Sequence, residues 1–275
     1  MKTIHIVIIV VVAVAILIGL VIGFGMKGVN YGGNVGVIEI ENVITSSKYI
    51  VRDLKNFEED PTIKAVLIRV DSPGGGVAAS QEIYQQVKKV KAQKKVVVSM
   101  GAVAASGGYY VSLPADIIVA NPGTITGSIG VIMEFPVFKD LLDKIGIEFE
   151  VIKSKEHKDI GSPFRKMSIT ERELLHDVVI DVYNQFVEAT VKARNLPEDS
   201  VVKYADGRIL TGRQALEVGL IDTLGSFEDA VAITGELAGI KSPMLVYPPK
   251  RISFIDFFIE PVERMLTPKL SFLWR

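Results

Sequence analysis

The sequence predicts an α/β protein built on a largely parallel sheet, and three observations carry that expectation. Short β-branched runs recur along the chain, and amphipathic helical stretches separate them. The runs are also continuous rather than alternating, as strands covered on both faces require. The strands expected are Val35 to Ile40, Ile63 to Val70, Val96 to Met100, Ile117 to Ala120 and Ile147 to Ile152. Their alternation with helices argues for parallel pairing around one core.

In chain order, residues 1–26 come first, with 20 apolar side chains and a single charge, Lys2. Ile6 to Met26 is an uncharged run of 21 residues. At about 1.5 Å rise per residue it is long enough to cross a hydrocarbon layer roughly 30 Å thick. It exceeds the roughly 7 to 15 apolar residues of a signal peptide, and Gly23-Phe24-Gly25-Met26 is a poor cleavage site. The expectation is an uncleaved transmembrane anchor over 1–26. Its short N-terminal flank favours a cytoplasmic N-terminus and an extracytoplasmic remainder at the cell membrane. The mean hydropathy of +0.33 is owed to this segment. The other 249 residues hold 62 charged side chains, about 25%, an ordinary soluble composition. Residues 27–34 are Gly-rich and read as a flexible tether, and the main folded domain is expected over 35–240.

Within that domain Lys48 to Phe57 reads as one helix, and Ser80 to Lys91 as another with Ile83, Tyr84, Val87 and Val90 on a single face. The longest helix is expected from Glu171 to about Arg194, with Thr170 and Glu173 as its capping box. Residues 241–275 form an aromatic-rich extension with three readings: packing on the domain or a neighbouring subunit, contact with the membrane interface, or entry into an active site as a substrate mimic.

Composition removes several function classes. Without Cys there is no disulfide framework, Cys nucleophile or thiolate metal site, and three His make a His-rich metal centre improbable. The 31 basic residues are interspersed with 32 acidic ones, so the concentrated basic surface that nucleic acid needs is missing. Neither a zinc-binding H-E-x-x-H nor a G-x-x-x-x-G-K-[ST] phosphate loop occurs. Asp222-Thr223-Leu224-Gly225 has no second Asp motif to face it and reads as a turn. No cofactor and no metal are expected.

Serine chemistry remains. His5 falls in the anchor and His176 on the solvent flank of the long helix, which leaves His157 as the only eligible imidazole base. Two Gly-rich segments follow strands. Asp71-Ser72-Pro73-Gly74-Gly75-Gly76 precedes a helix and can form a nest of amides, or can simply be a Gly-rich turn. Met100 to Tyr110 places Ser106 among small residues at a helix N-terminus, where Gly107 can offer its amide to developing negative charge. Close helix packing is the other reading of that Ser.

Together with Lys155-Glu156-His157-Lys158-Asp159-Ile160-Gly161-Ser162-Pro163, these segments resemble the signal peptide peptidase A family in its short, single-copy form. The resemblance runs in order from about Val35 to Ile240 and includes Ala205 to Leu216 and Val218 to Asp222. It implies a ClpP/crotonase-like spiral of β-β-α units behind one N-terminal transmembrane helix. It also implies a membrane-anchored serine endopeptidase with a Ser-Lys dyad that degrades released signal peptides and similar apolar peptides. By the same resemblance Ser106 is the nucleophile, Lys158 the general base and Ser128 an auxiliary hydroxyl orienting the lysine. The backbone amides of Gly75 and Gly107 form the oxyanion hole. A homo-oligomer is implied, with an octamer among the candidate stoichiometries. A membrane serine protease with a dedicated protein substrate, and a crotonase-like acyl-CoA-binding protein, are the alternatives.

A lysine base carries a physical condition. With an ordinary pKa near 10.4, roughly 0.04% of an exposed Lys is neutral at pH 7. Lowering the pKa to about 7 disfavours the charged form by roughly 4.6 kcal/mol, which demands desolvation. The polar surroundings of Lys158 in the sequence do not supply it.

Overall fold

The computed structural model describes residues 32–249 and 270–273; the expected anchor over 1–26 lies outside them. Among the described residues no helix is long and apolar enough to cross a membrane. The strands in chain order are β1 (Val35–Glu41), β2 (Ala65–Ser72), β3 (Gly74–Gly76), β4 (Lys95–Ala105), β5 (Ile117–Ala120), β6 (Ile125–Gly127), β7 (Ile132–Met133), β8 (Ile209–Thr211), β9 (Thr223–Leu224), β10 (Leu245–Val246) and β11 (Leu270–Leu273). The helices are α1 (Lys48–Glu59), α2 (Val77–Lys91), α3 (Gly107–Ser112), α4 (Lys139–Ile145), α5 (Ile169–Arg194), α6 (Glu198–Val202), α7 (Gly212–Glu217) and α8 (Phe227–Ala238), with a 3₁₀ turn at Glu156–Asp159.

The main sheet runs β10-β1-β2-β4-β5-β9, parallel throughout. Strand β4 is the longest: its first half pairs with β5, and its end pairs with β6, which pairs antiparallel with β8. The continuous apolar runs are explained by two-sided burial. In β1, β2, β4 and β5, side chains of one parity (Ile38, Ile68, Val98, Ile118) enter a large core beneath α1, α2, α3 and α5. Those of the other (Val37, Leu67, Val97, Val119) meet α8. The single core expected from the sequence is therefore two apolar layers, one on each face of the sheet.

Other expectations are corrected. Ile147 to Ile152 is no strand. It lies exposed beyond α4, and Phe149 stacks on Phe164 with ring centroids 3.9 Å apart. A β-branched run is insufficient where no neighbouring strand offers its edge. Helix α5 begins earlier than expected, and Ser168 with Glu171 forms its capping box in place of Thr170 and Glu173. The turn expected after Asp222 contains the short strand β9, and Asp222 is held by Arg194 across 2.7 Å. Leu245–Val246 continues the main sheet past residue 240 by pairing with β1.

Candidate active site

The site is assembled where β2 and β4 end. Between the pairs Val70↔Met100 and Ser72↔Ala104 the register shifts, so extra residues of β4 bulge out and re-aim its last turn. Asp71 stabilises the bulge by accepting from the Val103 amide at 3.1 Å. Ser72 fixes the following turn, its hydroxyl donating to the Asn42 carbonyl at 2.5 Å and accepting from the Gly74 amide at 3.1 Å. Beyond Gly74, whose φ of 100° suits glycine, the Gly-rich loop expected from the sequence is the short strand β3.

Ser106 sits at the junction of β4 and α3 with φ 52° and ψ −117°, outside the regions favoured by a side chain. Such a conformation costs of order 1–3 kcal/mol and is held by its surroundings. The Ser106 amide donates to the Gly127 carbonyl at 2.8 Å, and its carbonyl accepts from the Tyr110 amide at 2.8 Å. With its own N–H committed to Gly127, the first amide of α3 belongs to Gly107. Helix α3 is anchored by Tyr109, whose buried hydroxyl donates to the Leu220 carbonyl at 2.9 Å, and by Tyr110, edge-on to Phe186. Burial pushes the Tyr110 phenol up to about 12.

Ser128 also has positive φ, 51°, and its amide donates to the Arg208 carbonyl at 2.8 Å. Its neighbour Gly127 carries the carbonyl that holds the Ser106 amide, so one turn fixes both serines. Both line a cavity of about 590 Å³ together with Val131, Ile132, Tyr183 and Asp206.

The two glycines expected to supply amides are in contact. A Cβ at Gly107 would fall 3.1 Å from the Gly75 nitrogen, and one at Gly75 would fall 2.1 Å from the Ile44 carbonyl oxygen. Neither site has room for a side chain. The Ile44 amide donates to the Gly74 carbonyl, and the Gly76 amide donates to the Ile44 carbonyl. Peptide groups alternate along a strand, so the Gly75 N–H and C=O face the opposite edge. There β11 runs antiparallel to β3, with Phe272 opposite Gly75, and its other edge pairs with β7. The described part of the C-terminal extension is thus an extended strand seated between β3 and β7, beside the cavity that Ser106 lines.

Lys158 is not brought to this cavity. It lies on the exposed 3₁₀ turn Glu156–Asp159, outside the residues that line it. His157 is exposed on the same turn and His176 is exposed on α5. Sequence reasoning missed Tyr183 and Asp206 as cavity residues, because they lie on α5 and before β8, far along the chain, with no local motif. It also missed Asp71 as a brace for β4. Among the described residues no cluster of His, Cys, Asp or Glu could hold a metal ion.

Comparison with known proteins places this geometry in a family. Residues 88–241 match the model of Peptidase family S49, and residues 36–118 match that of Clp protease. A Synechocystis sp. protein named by inference as a protease is 46% identical over 205 residues, covering 74% of either chain. An Enterococcus faecium protein named by inference as signal peptide peptidase SppA is 41% identical over 179 residues, covering 65% of this chain and 52% of its own. The chloroplastic serine protease SPPA of Arabidopsis thaliana is 35% identical over 195 residues, covering 70% of this chain and 29% of its own. A ClpP1 mutant from Listeria monocytogenes superposes with a TM-score of 0.49 at 16% identity, over 70% of this chain and 93% of that one. With the family match over more than half its length and a relative 46% identical over 74% of either chain, the chain belongs to peptidase family S49 and is a serine peptidase.

Proposed function

We propose that the protein is a membrane-anchored endopeptidase that cleaves extended apolar peptides, released signal peptides among them, outside the cytoplasm. The observation that carries this reading is β11 between β3 and β7. A cleft that accepts an extended strand by hydrogen bonds on both edges binds peptide backbone of any sequence, and neighbouring apolar hollows supply the preference. One such hollow, of about 400 Å³, is lined by Ile132, Met133, Phe135, Met167, Leu175 and Val179 among others.

The chemistry follows from the site. The Ser106 hydroxyl oxygen attacks the scissile carbonyl carbon while the Lys158 amine takes the hydroxyl proton. The oxyanion that forms accepts from the Gly75 and Gly107 amides. Its collapse breaks the C–N bond, and the Lys158 ammonium protonates the departing amine. Water then attacks the acyl-serine with Lys158 again as base, releasing the acid and restoring Ser106. Ser128, on the same turn that fixes the Ser106 amide, orients the lysine.

Assembly of several copies supplies what a single chain lacks. The segment around Lys158 exposes Phe138, Leu141, Ile145, Phe149 and Ile152, the last of them 96% exposed. Apolar surface of this extent is covered in the working form, and a neighbouring copy that covers it also desolvates Lys158 and brings a lysine to a Ser106 cavity. The test uses the full-length chain and an apolar peptide substrate. Ser106→Ala and Lys158→Ala each abolish cleavage, whereas His157→Ala retains it. An active Lys158→Ala protein overturns the dyad.

A further inference from the structure

The turn that carries Lys158 is tied to α5 by a chain of ion pairs. The Arg165 guanidinium grips Asp159 with two bonds, Nε to Oδ2 and Nη2 to Oδ1, both 2.8 Å. It grips Glu171 with two more, Nη1 to Oε2 at 2.7 Å and Nη2 to Oε1 at 2.5 Å. Glu171 is buried, and its carboxylate accepts from the Ser168 amide as the capping residue of α5. Lys153 takes the remaining capacity of Asp159 Oδ1 at 2.7 Å. Arg165 therefore spans the neck of the 153–165 loop and fixes it to the start of a 26-residue helix.

The electrostatic consequence concerns the neighbouring residue. A lysine works as a base only when its neutral form is populated, and an anion close by favours the ammonium. Lys158 precedes Asp159 directly, yet Lys158 makes no ion pair among the described residues, because both Asp159 oxygens are turned to Arg165 and Lys153. We propose that Arg165 is a positioning residue for Lys158: it anchors the loop to α5 and holds the Asp159 carboxylate away from the lysine amine. The proposal rests on the Ser-Lys reading above and adds a residue to it. Arg165 and Lys153 hold the Asp159 carboxyl well below the usual carboxylate range, so it remains an anion at working pH. On its own stretch the lysine is flanked in sequence by Lys155, Glu156 and His157. Glu134 and Asp206 line the Ser106 cavity it must reach, Asp206 being paired with Arg208.

The test is the pH dependence of kcat/KM for peptide cleavage by the full-length chain. In Arg165→Gln, Asp159 is free to pair with the Lys158 ammonium. An opposite charge at close range moves a pKa by roughly 1–3 units. The acid limb is expected to move up by at least about one pH unit, so kcat on that limb falls about tenfold or more with KM little changed. Adding Asp159→Asn to Arg165→Gln removes the new partner and returns the limb to its wild-type position. A purely structural anchor would lower the plateau without moving the limb, and the double variant would not recover. If Arg165→Gln fails to fold, Arg165→Lys keeps one charge and one bond and is expected to shift the limb in the same direction by less. An unmoved limb in the folded variant, or no recovery in the double variant, overturns the proposal. Activity in Lys158→Ala would instead overturn the Ser-Lys reading itself.

Discussion

Gly107→Ala separates the packing of the site from its chemistry. The Cβ of the new alanine would lie 2.8 Å from Ser80 Oγ, 3.1 Å from Gly74 Cα and 3.1 Å from the Gly75 nitrogen. Comfortable contacts between carbon atoms begin at about 3.5 Å, so β3 must retreat by about 0.4 Å relative to α3. Overpacking of this kind costs roughly 1–3 kcal/mol. Ala in place of Gly within a helix returns about 0.5–1 kcal/mol, and Gly107 has no positive φ to forbid it. The net loss of stability is therefore small, at most about 2.5 kcal/mol. The retreat separates the two amides that the proposed mechanism aims at one oxygen, and a misplacement near 1 Å can cost about 10²-fold in rate. At that rate a retreat of about 0.4 Å corresponds to a fall in kcat of roughly 5- to 10-fold, with KM nearly unchanged. The assay is steady-state cleavage of an apolar fluorogenic peptide by the full-length chain, with urea unfolding of the same preparation. Ser80→Ala in the Gly107→Ala background removes the closest contact but not the two backbone contacts, and it also gives up the Ser80 hydroxyl's bond to the Gly76 carbonyl, so stability recovers only in part and rate does not. Wild-type kcat in Gly107→Ala would refute the reasoning, because Gly75 and Gly107 would then have no shared task.

Two further predictions concern the tail and the anchoring tyrosine. If β11 is seated as a substrate strand, intact-mass measurement after incubation finds C-terminal residues lost from the wild type and retained in Ser106→Ala. Deletion of residues 270–275 raises the initial rate on a short peptide, and an unchanged mass with an unchanged rate contradicts that seating. Burial raises the Tyr109 phenol well above its ordinary pKa of 10.0. The fold thus prefers the neutral form; this contribution is fully present below about pH 10 and is lost as pH rises toward the folded value. Tyr109→Phe is expected to soften that alkaline loss. It also leaves the Leu220 carbonyl without its donor, at a cost of about 1–3 kcal/mol near neutral pH, as read by urea unfolding at pH 7 and pH 11.

The parallel sheet was legible because its strands are covered on both faces, and Val66 to Ile68 or Val96 to Val98 then leave no polar position to mislead. The segments that meet beside the cavity were visible in the sequence because each is local: Ser106 with Gly107, and Gly74 to Gly76. Long-range geometry was less so. Ile147 to Ile152 has strand composition, but pairing depends on an available edge. Ser168 and Thr170 each stand three residues before a glutamate, so both spacings fit a capping box. Arg165 decides between them by holding Glu171 in place. The seating of β11 between β3 and β7 depends on partners about 140 and 195 residues away and has no local signature. Lys158 stood out only through its motif; in one chain it remains on the surface, as its polar surroundings suggest.

The most direct measurement of the central claim is the mass of tryptic peptides after the full-length chain is treated with a serine-directed phosphonate. A single adduct on Ser106 is predicted, formed faster as pH rises through neutrality and suppressed in Lys158→Ala but not in His157→Ala. An adduct on another residue, or Ser106 labelled equally fast in Lys158→Ala, would contradict the account.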